Sequence, residues 1–144
     1  MILKTESDTA AIGAALATQV RAGDVIALSG PLDVGKTAFA RGLIRALGHQ
    51  GDVTSPSFAI VQPYDDLDPP LWHVDLYRIE DPSEIEELGL DVAADGVLLV
   101  EWPERAGAKA WPHPLVLSLS FAPDGDRILT AEVPPSWEGR WPPR

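Results

Sequence analysis

Residues 25–47 read VIALSGPLDVGKTAFARGLIRAL, and three kinds of local structure follow one another within them. Residues 25–28 are an apolar run of strand length, set between Gly23-Asp24 and Ser29-Gly30. Residues 30–37, GPLDVGKT, satisfy G-x-x-x-x-G-K-[ST], the pattern of a phosphate-binding loop. From Thr37 onward, Phe39, Leu43, Ile44 and Leu47 recur at helical spacing. A strand, a glycine loop and a helix therefore stand in the order such a loop needs. Its backbone amides and those of the unpaired first helical turn converge on one volume, where a β-phosphate can accept hydrogen bonds at the positive end of the helix. Lys36 adds a mobile cation for the β- and γ-phosphates, and Thr37 offers a hydroxyl to Mg2+. The expected nucleotide contacts are Gly30, Leu32, Asp33, Val34, Gly35, Lys36 and Thr37, the ligand being a nucleotide with Mg2+. A plain surface turn is the alternative.

Asp33 stands where loops of this kind usually carry a small residue, most often glycine. Aspartate tolerates unusual backbone dihedrals better than most residues with a Cβ, but its charge lies near phosphates that repel it. The expectation is a bound nucleotide with weakened affinity or slowed turnover.

The 144 residues make one domain, long enough to bury about two-thirds of the unfolded chain's surface. Acidic side chains number 22 against 11 basic ones, a net charge of −11. That field favours solubility and repels a bare phosphate backbone, so any role on RNA is expected through a partner. Cysteine is absent, which excludes disulfides, thiolate catalysis and thiolate zinc sites. His49, His73 and His113 are too scattered to suggest a metal cage. No basic leader and no long apolar run is present, so the cytoplasm, with no membrane partner, is the expected location.

Elsewhere the chain reads as follows. Residues 1–3 suit a small edge strand, and Ser7 or Asp8 an N-cap for a helix carrying Ile12, Leu16 and Val20. Thr9, near its start, is either a capping or surface residue or a nucleotide contact. In residues 53–64, two hydroxyls precede Pro56 in a preorganised extended segment, and residues 58–61 read as a strand. A second strand, residues 71–77, follows the acidic loop 65–70, and the two are expected to pair as a hairpin. Its alternation puts Trp72, Val74 and Leu76 on one face and His73, Asp75 and Tyr77 on the other. Asp75 serves metal, water or a switch, or else a structural partner such as Arg78. Asp81-Pro82 opens a helix through residues 83–89 whose Glu84, Glu86 and Glu87 suit a solvated or partner-facing surface.

Residues 97–100 are four apolar residues ending in Glu101, the form of a buried parallel strand that delivers an acid beside a ligand. Glu101 can hold Mg2+ through water or position an attacking water; a surface acid after a core strand is the alternative. Residues 115–121 and 127–133, joined around Asp124-Gly125, read as an antiparallel hairpin. The end, PPSWEGRWPPR, is irregular, either frayed or packed by its tryptophans. Together these predict an α/β fold, a single P-loop NTPase domain over residues 1–135. Its mixed central sheet is flanked by helices and followed by C-terminal antiparallel strands, with residues 136–144 as an irregular tail.

SGPLDVGKTAFARGLIRALG, TSPSF, HVDLYR, ELGL and LLVEWPE follow one another in order and spacing through residues 29–104, and the resemblance they carry extends across nearly the whole chain. This set resembles the TsaE family, the small ATPase subunit of bacterial tRNA threonylcarbamoyladenosine synthesis. The resemblance implies that Lys36 and the loop amides form the phosphate site and that Thr37 serves Mg2+. It further implies a nucleotide-sensing loop at residues 54–57, Asp75 as the acid of an HxD element, Glu101 as a second acid at the metal, and Thr9 near the base. Lys36, Asp75 and Glu101 are the catalytic candidates, and Thr37 and Glu101 the metal candidates. Family members usually read GDLGAGKT where this chain has GPLDVGKT. What the resemblance implies is an ATPase that does not itself transfer the threonylcarbamoyl group. It would work with a two-subunit synthase and meet tRNA only through that complex. Two other readings compete, an independent small-molecule kinase and a nucleotide-dependent interaction module without turnover. The first lacks an Arg-rich lid in a chain with 11 basic residues.

Overall fold

The computed structural model describes residues 1–53, 56, 61–81, 83–85, 95–107, 110–111, 113–143. Among the described residues two α-helices, α1 (Glu6–Leu16) and α2 (Lys36–Ala46), accompany seven strands: β1 (Ile2–Leu3), β2 (Val25–Ser29), β3 (Val61–Tyr64), β4 (Leu71–Asp75), β5 (Val97–Glu101), β6 (Leu115–Phe121) and β7 (Arg127–Glu132). The strands form one sheet in the order β1-β7-β6-β2-β5-β4-β3. Its centre, β6-β2-β5-β4, is parallel, and antiparallel strands close both edges. The expected α/β fold with a mixed sheet and a C-terminal antiparallel hairpin is therefore the observed one.

β2 and β5 are buried on both faces, which is why they read as unbroken apolar runs rather than as alternations. α2 presents Phe39, Leu43 and Ile44 to the core, each fully buried side chain contributing about 1.5–3 kcal/mol. α1 works differently. It buries only Thr9, Gly13 and Leu16, because its small residues let the two helices meet backbone to backbone. A Cβ on Gly13 would collide with the Phe39 carbonyl, and one on Gly42 with the Ala10 carbonyl. This close approach seats the start of α1 beside the start of α2.

Several boundaries differ from expectation. The N-cap of α1 is Thr5, not Ser7 or Asp8: its hydroxyl accepts from the Asp8 amide at 3.1 Å, while Asp8 accepts from the Thr5 amide in return, a capping box. Asp8 is thus the third helical residue of the box rather than the cap. α1 stops at Leu16, and Val20 follows in a turn. β4 ends at Asp75 instead of running on to Tyr77, because an Asp75 oxygen takes the Tyr77 amide at 2.9 Å and turns the chain. β3 runs on past Val61 to Tyr64 and includes Pro63, tolerated on an edge strand; residues 58–60 of the expected strand lie outside the described residues. Residues 83–85 make a single 3-10 turn, and the rest of the helix expected there, with Glu86 and Glu87, lies outside the described residues.

At the C-terminal end of the chain, Trp137 is buried and Arg140 stacks on its ring at 3.9 Å. Arg140 also grips Asp24 with two nitrogens, at 2.7 and 3.0 Å, and donates to the Gln19 and Ser136 carbonyls. Among the described residues no helix is long and apolar enough to cross a membrane.

Candidate functional site

The parallel strands β2, β5 and β4 end side by side, with Leu28 and Asp75 both in register with Glu101. Their carboxyl ends, the loop after β2 and the starts of both helices enclose a cavity of about 500 Å³. Open α/β sheets bind ligands at such ends. Of the residues singled out from sequence, Thr9, Leu32, Asp33, Val34, Gly35, Lys36, Thr37, Asp75 and Glu101 all line it. Gly30 lies just behind, with its carbonyl turned to Lys36. The stretch 54–57 read as a nucleotide-sensing loop is described only at Pro56, which is buried.

Two glycines and one aspartate give the loop its path. Gly30 has φ 151° and lies under the Leu119 carbonyl, where a Cβ would come within 2.6 Å. Gly35, the N-cap of α2, has φ 115° and faces Thr9, whose Cγ2 is 3.5 Å from where a Cβ would be. Thr9 is buried and belongs to the cavity wall, which removes the reading of it as a surface residue. Because a glycine caps α2, the cap residue has no side chain to close off the first-turn amides. Asp33 has φ 63° and is exposed. The left-handed backbone accounts for a glycine being usual here, and aspartate adopts it at less cost than most residues.

Lys36 is only 5% exposed. Its Nζ donates to the Gly30 carbonyl at 2.6 Å and lies 3.8 Å from the centre of the Trp102 ring. Burial pushes this ammonium below its usual 10.5, against the pull of Glu101, Asp75 and Glu104. A buried cation at a helix start, facing acids at strand ends, has the chemistry to meet phosphates and a divalent cation together. Asp75 and Glu101 are both buried, and with the Thr37 hydroxyl they form an oxygen set of the kind Mg2+ takes, completed in such sites by substrate phosphates and water. The donor set therefore fits a nucleotide with its metal.

Two contributors, Trp102 and Arg127, escaped the sequence reading, and for a third, His73, noted only on the face with Asp75, the contact with Glu101 did. Trp102, with φ 58°, sits over Lys36 and tilts against Tyr77 with ring centres 4.8 Å apart; its signal was its place directly after Glu101. Arg127 of β7 donates through Nε to the Val34 carbonyl at 3.1 Å, tying the C-terminal hairpin to the phosphate loop. His73 lies 2.6 Å from Glu101 through Nε2 and Oε2. Neither of the last two contacts has a sequence signal, since each joins residues far apart in the chain.

A family model described as threonylcarbamoyl adenosine biosynthesis protein TsaE matches residues 3–128. A Bacillus subtilis protein named tRNA threonylcarbamoyladenosine biosynthesis protein TsaE is 39% identical over 125 residues, covering 85% of this chain and 78% of its own. One of the same name from Treponema pallidum is 32% identical over 131 residues, covering 90% and 96%. The crystal structure of Bacillus subtilis YdiB matches with a TM-score of 0.80 at 32% identity, over 96% of this chain and 88% of that one.

Proposed function

The chain belongs to the TsaE family of threonylcarbamoyl adenosine biosynthesis proteins, and from that premise we propose that it is a Mg2+-dependent ATPase. Its turnover would serve the threonylcarbamoyl modification of adenosine 37 in tRNA through a two-subunit synthase complex in the cytoplasm. Residues 1–135 are the ATPase domain in this reading, with 136–144 as a tail. The observation that carries it is the buried Lys36 at the start of α2, set against Asp75 and Glu101 at the ends of β4 and β5 around one cavity.

The amides of the loop and of the first turn of α2 hold the β- and γ-phosphates, and Lys36 moves from the Gly30 carbonyl to neutralise them. Thr37 and Glu101 hold the metal, directly or through water. Asp75 and Glu101 orient the attacking water and accept its proton. Bound Mg2+ supplies charge neutralisation on the phosphates. Thr9, packed on Gly35, borders the base end of the site. The net charge of −11 suits a subunit whose synthase partner, rather than itself, contacts tRNA.

ATP hydrolysis measured alone and with the cognate synthase subunits and tRNA tests the proposal. Turnover stimulated by the partners and lost in Lys36→Ala is the expected result; partner-independent background equal in wild type and Lys36→Ala would refute it. A second reading, nucleotide-dependent docking without turnover, is favoured by the carboxylate of Asp33 in the loop. ATP-dependent complex formation with no phosphate release would select it.

A further inference from the structure

His73 of β4 is fully buried, opposite Leu99 of β5 and on the same face as Asp75 and Glu101. The cavity wall includes Glu101 but not His73, so the imidazole acts on a ligand only through the acid. Its Nε2 is 2.6 Å from Glu101 Oε2, while its buried Nδ1 has no hydrogen-bond partner among the described residues.

We infer that His73 is a positioning residue: through Nε2 it holds one oxygen of Glu101 at 2.6 Å, setting the carboxylate at the end of β5 for the cavity. This rests on the reading that Glu101 serves the metal or the attacking water. Ligating carboxylates held by hydrogen bonds lose roughly 10–100-fold in metal affinity or activity when those bonds are removed.

In the test, Mg2+ is titrated into ATP hydrolysis and into ATP binding, and ATP binding is also measured without metal. His73→Phe should need roughly 10-fold more Mg2+ or more, with metal-free ATP affinity unchanged. His73→Gln, whose amide can take the place of Nε2, should recover most of the loss. Wild-type Mg2+ dependence in His73→Phe overturns the positioning role, and if that variant does not fold, a His73→Gln protein no better than Glu101→Gln does so. Glu101→Gln separates the two levels: if it keeps wild-type Mg2+ dependence, the acid's assignment falls and the role of His73 falls with it; if it loses it while His73→Phe does not, only the inference about His73 falls.

Discussion

Replacing Asp33 by glycine isolates the effect of one carboxylate on a phosphate site. Asp33 lines the cavity yet is exposed, and that exposure decides which dielectric applies. Two unit charges about 4 Å apart interact by about 1 kcal/mol in water and about 4 kcal/mol near a protein surface. With water on one side of Asp33, and with the loop amides and Lys36 offsetting part of the phosphate charge, the net repulsion should be about 1–2 kcal/mol. Asp33→Gly should therefore tighten ATP by roughly 5- to 30-fold. The fold should hardly notice. Relief of the left-handed backbone, worth at most about 1–2 kcal/mol for a residue with a Cβ, opposes the roughly 0.5–1 kcal/mol entropic cost of glycine. Calorimetric titration with ATP and with adenosine, at about 0.1 M and about 1 M salt, gives the answer, because the Debye length falls from about 10 to about 3 Å between them. The gain should be confined to ATP and should shrink at high salt. Equal ATP affinities for both proteins at low salt, or an equal gain for adenosine, would refute the electrostatic argument.

Three further outcomes follow from the geometry. Burial holds the Lys36 ammonium below 10.5, and phosphates favour its charged form, so the bound-state pKa lies above the free-state one and binding takes up a proton between them. ATP affinity should then fall as pH rises through the free-state value, by up to about tenfold per pH unit, with adenosine affinity flat; calorimetry in two buffers of different ionisation enthalpy detects the proton. Gly42→Ala, whose methyl meets the Ala10 carbonyl, should lose about 1–3 kcal/mol to overpacking despite a gain of about 1 kcal/mol in helix propensity, and a raised denaturation midpoint would contradict the close-packed helix pair. Asp24→Ala strands the Arg140 guanidinium, whose ion pair has side chains only 7% and 10% exposed, and should cost about 3–5 kcal/mol, a drop of roughly 10 °C in Tm.

The phosphate loop, the buried strands on either side of it and the hairpin of β6 and β7 were legible because each is a local pattern: glycine spacing, an apolar run, two runs around Asp124-Gly125. The cap of α1 was misread because Asp8, a good cap residue by type, works as the third residue of a box begun by Thr5. The far end of β3 was misplaced because Pro63 reads as a breaker until its place on a sheet edge is known. In the candidate site, the contacts of His73 with Glu101 and of Arg127 with Val34 depend on strand order and register, which no single stretch encodes. Trp102 above Lys36 depends likewise on β2 and β5 being neighbours.

The pairing of β2 also bears on the order in which the molecule can be made. Its partners are β5 and β6, both supplied long after it by a chain that grows from its amino end. Contacts so distant in sequence are slow to form, since the intervening chain must be closed first. During synthesis the nucleotide strand waits as an unpaired apolar segment until residues 97–121 have emerged. A fragment cut at residue 95 would contain every letter of the phosphate-loop motif and neither of the strands that hold β2 in place, so it should bind no nucleotide.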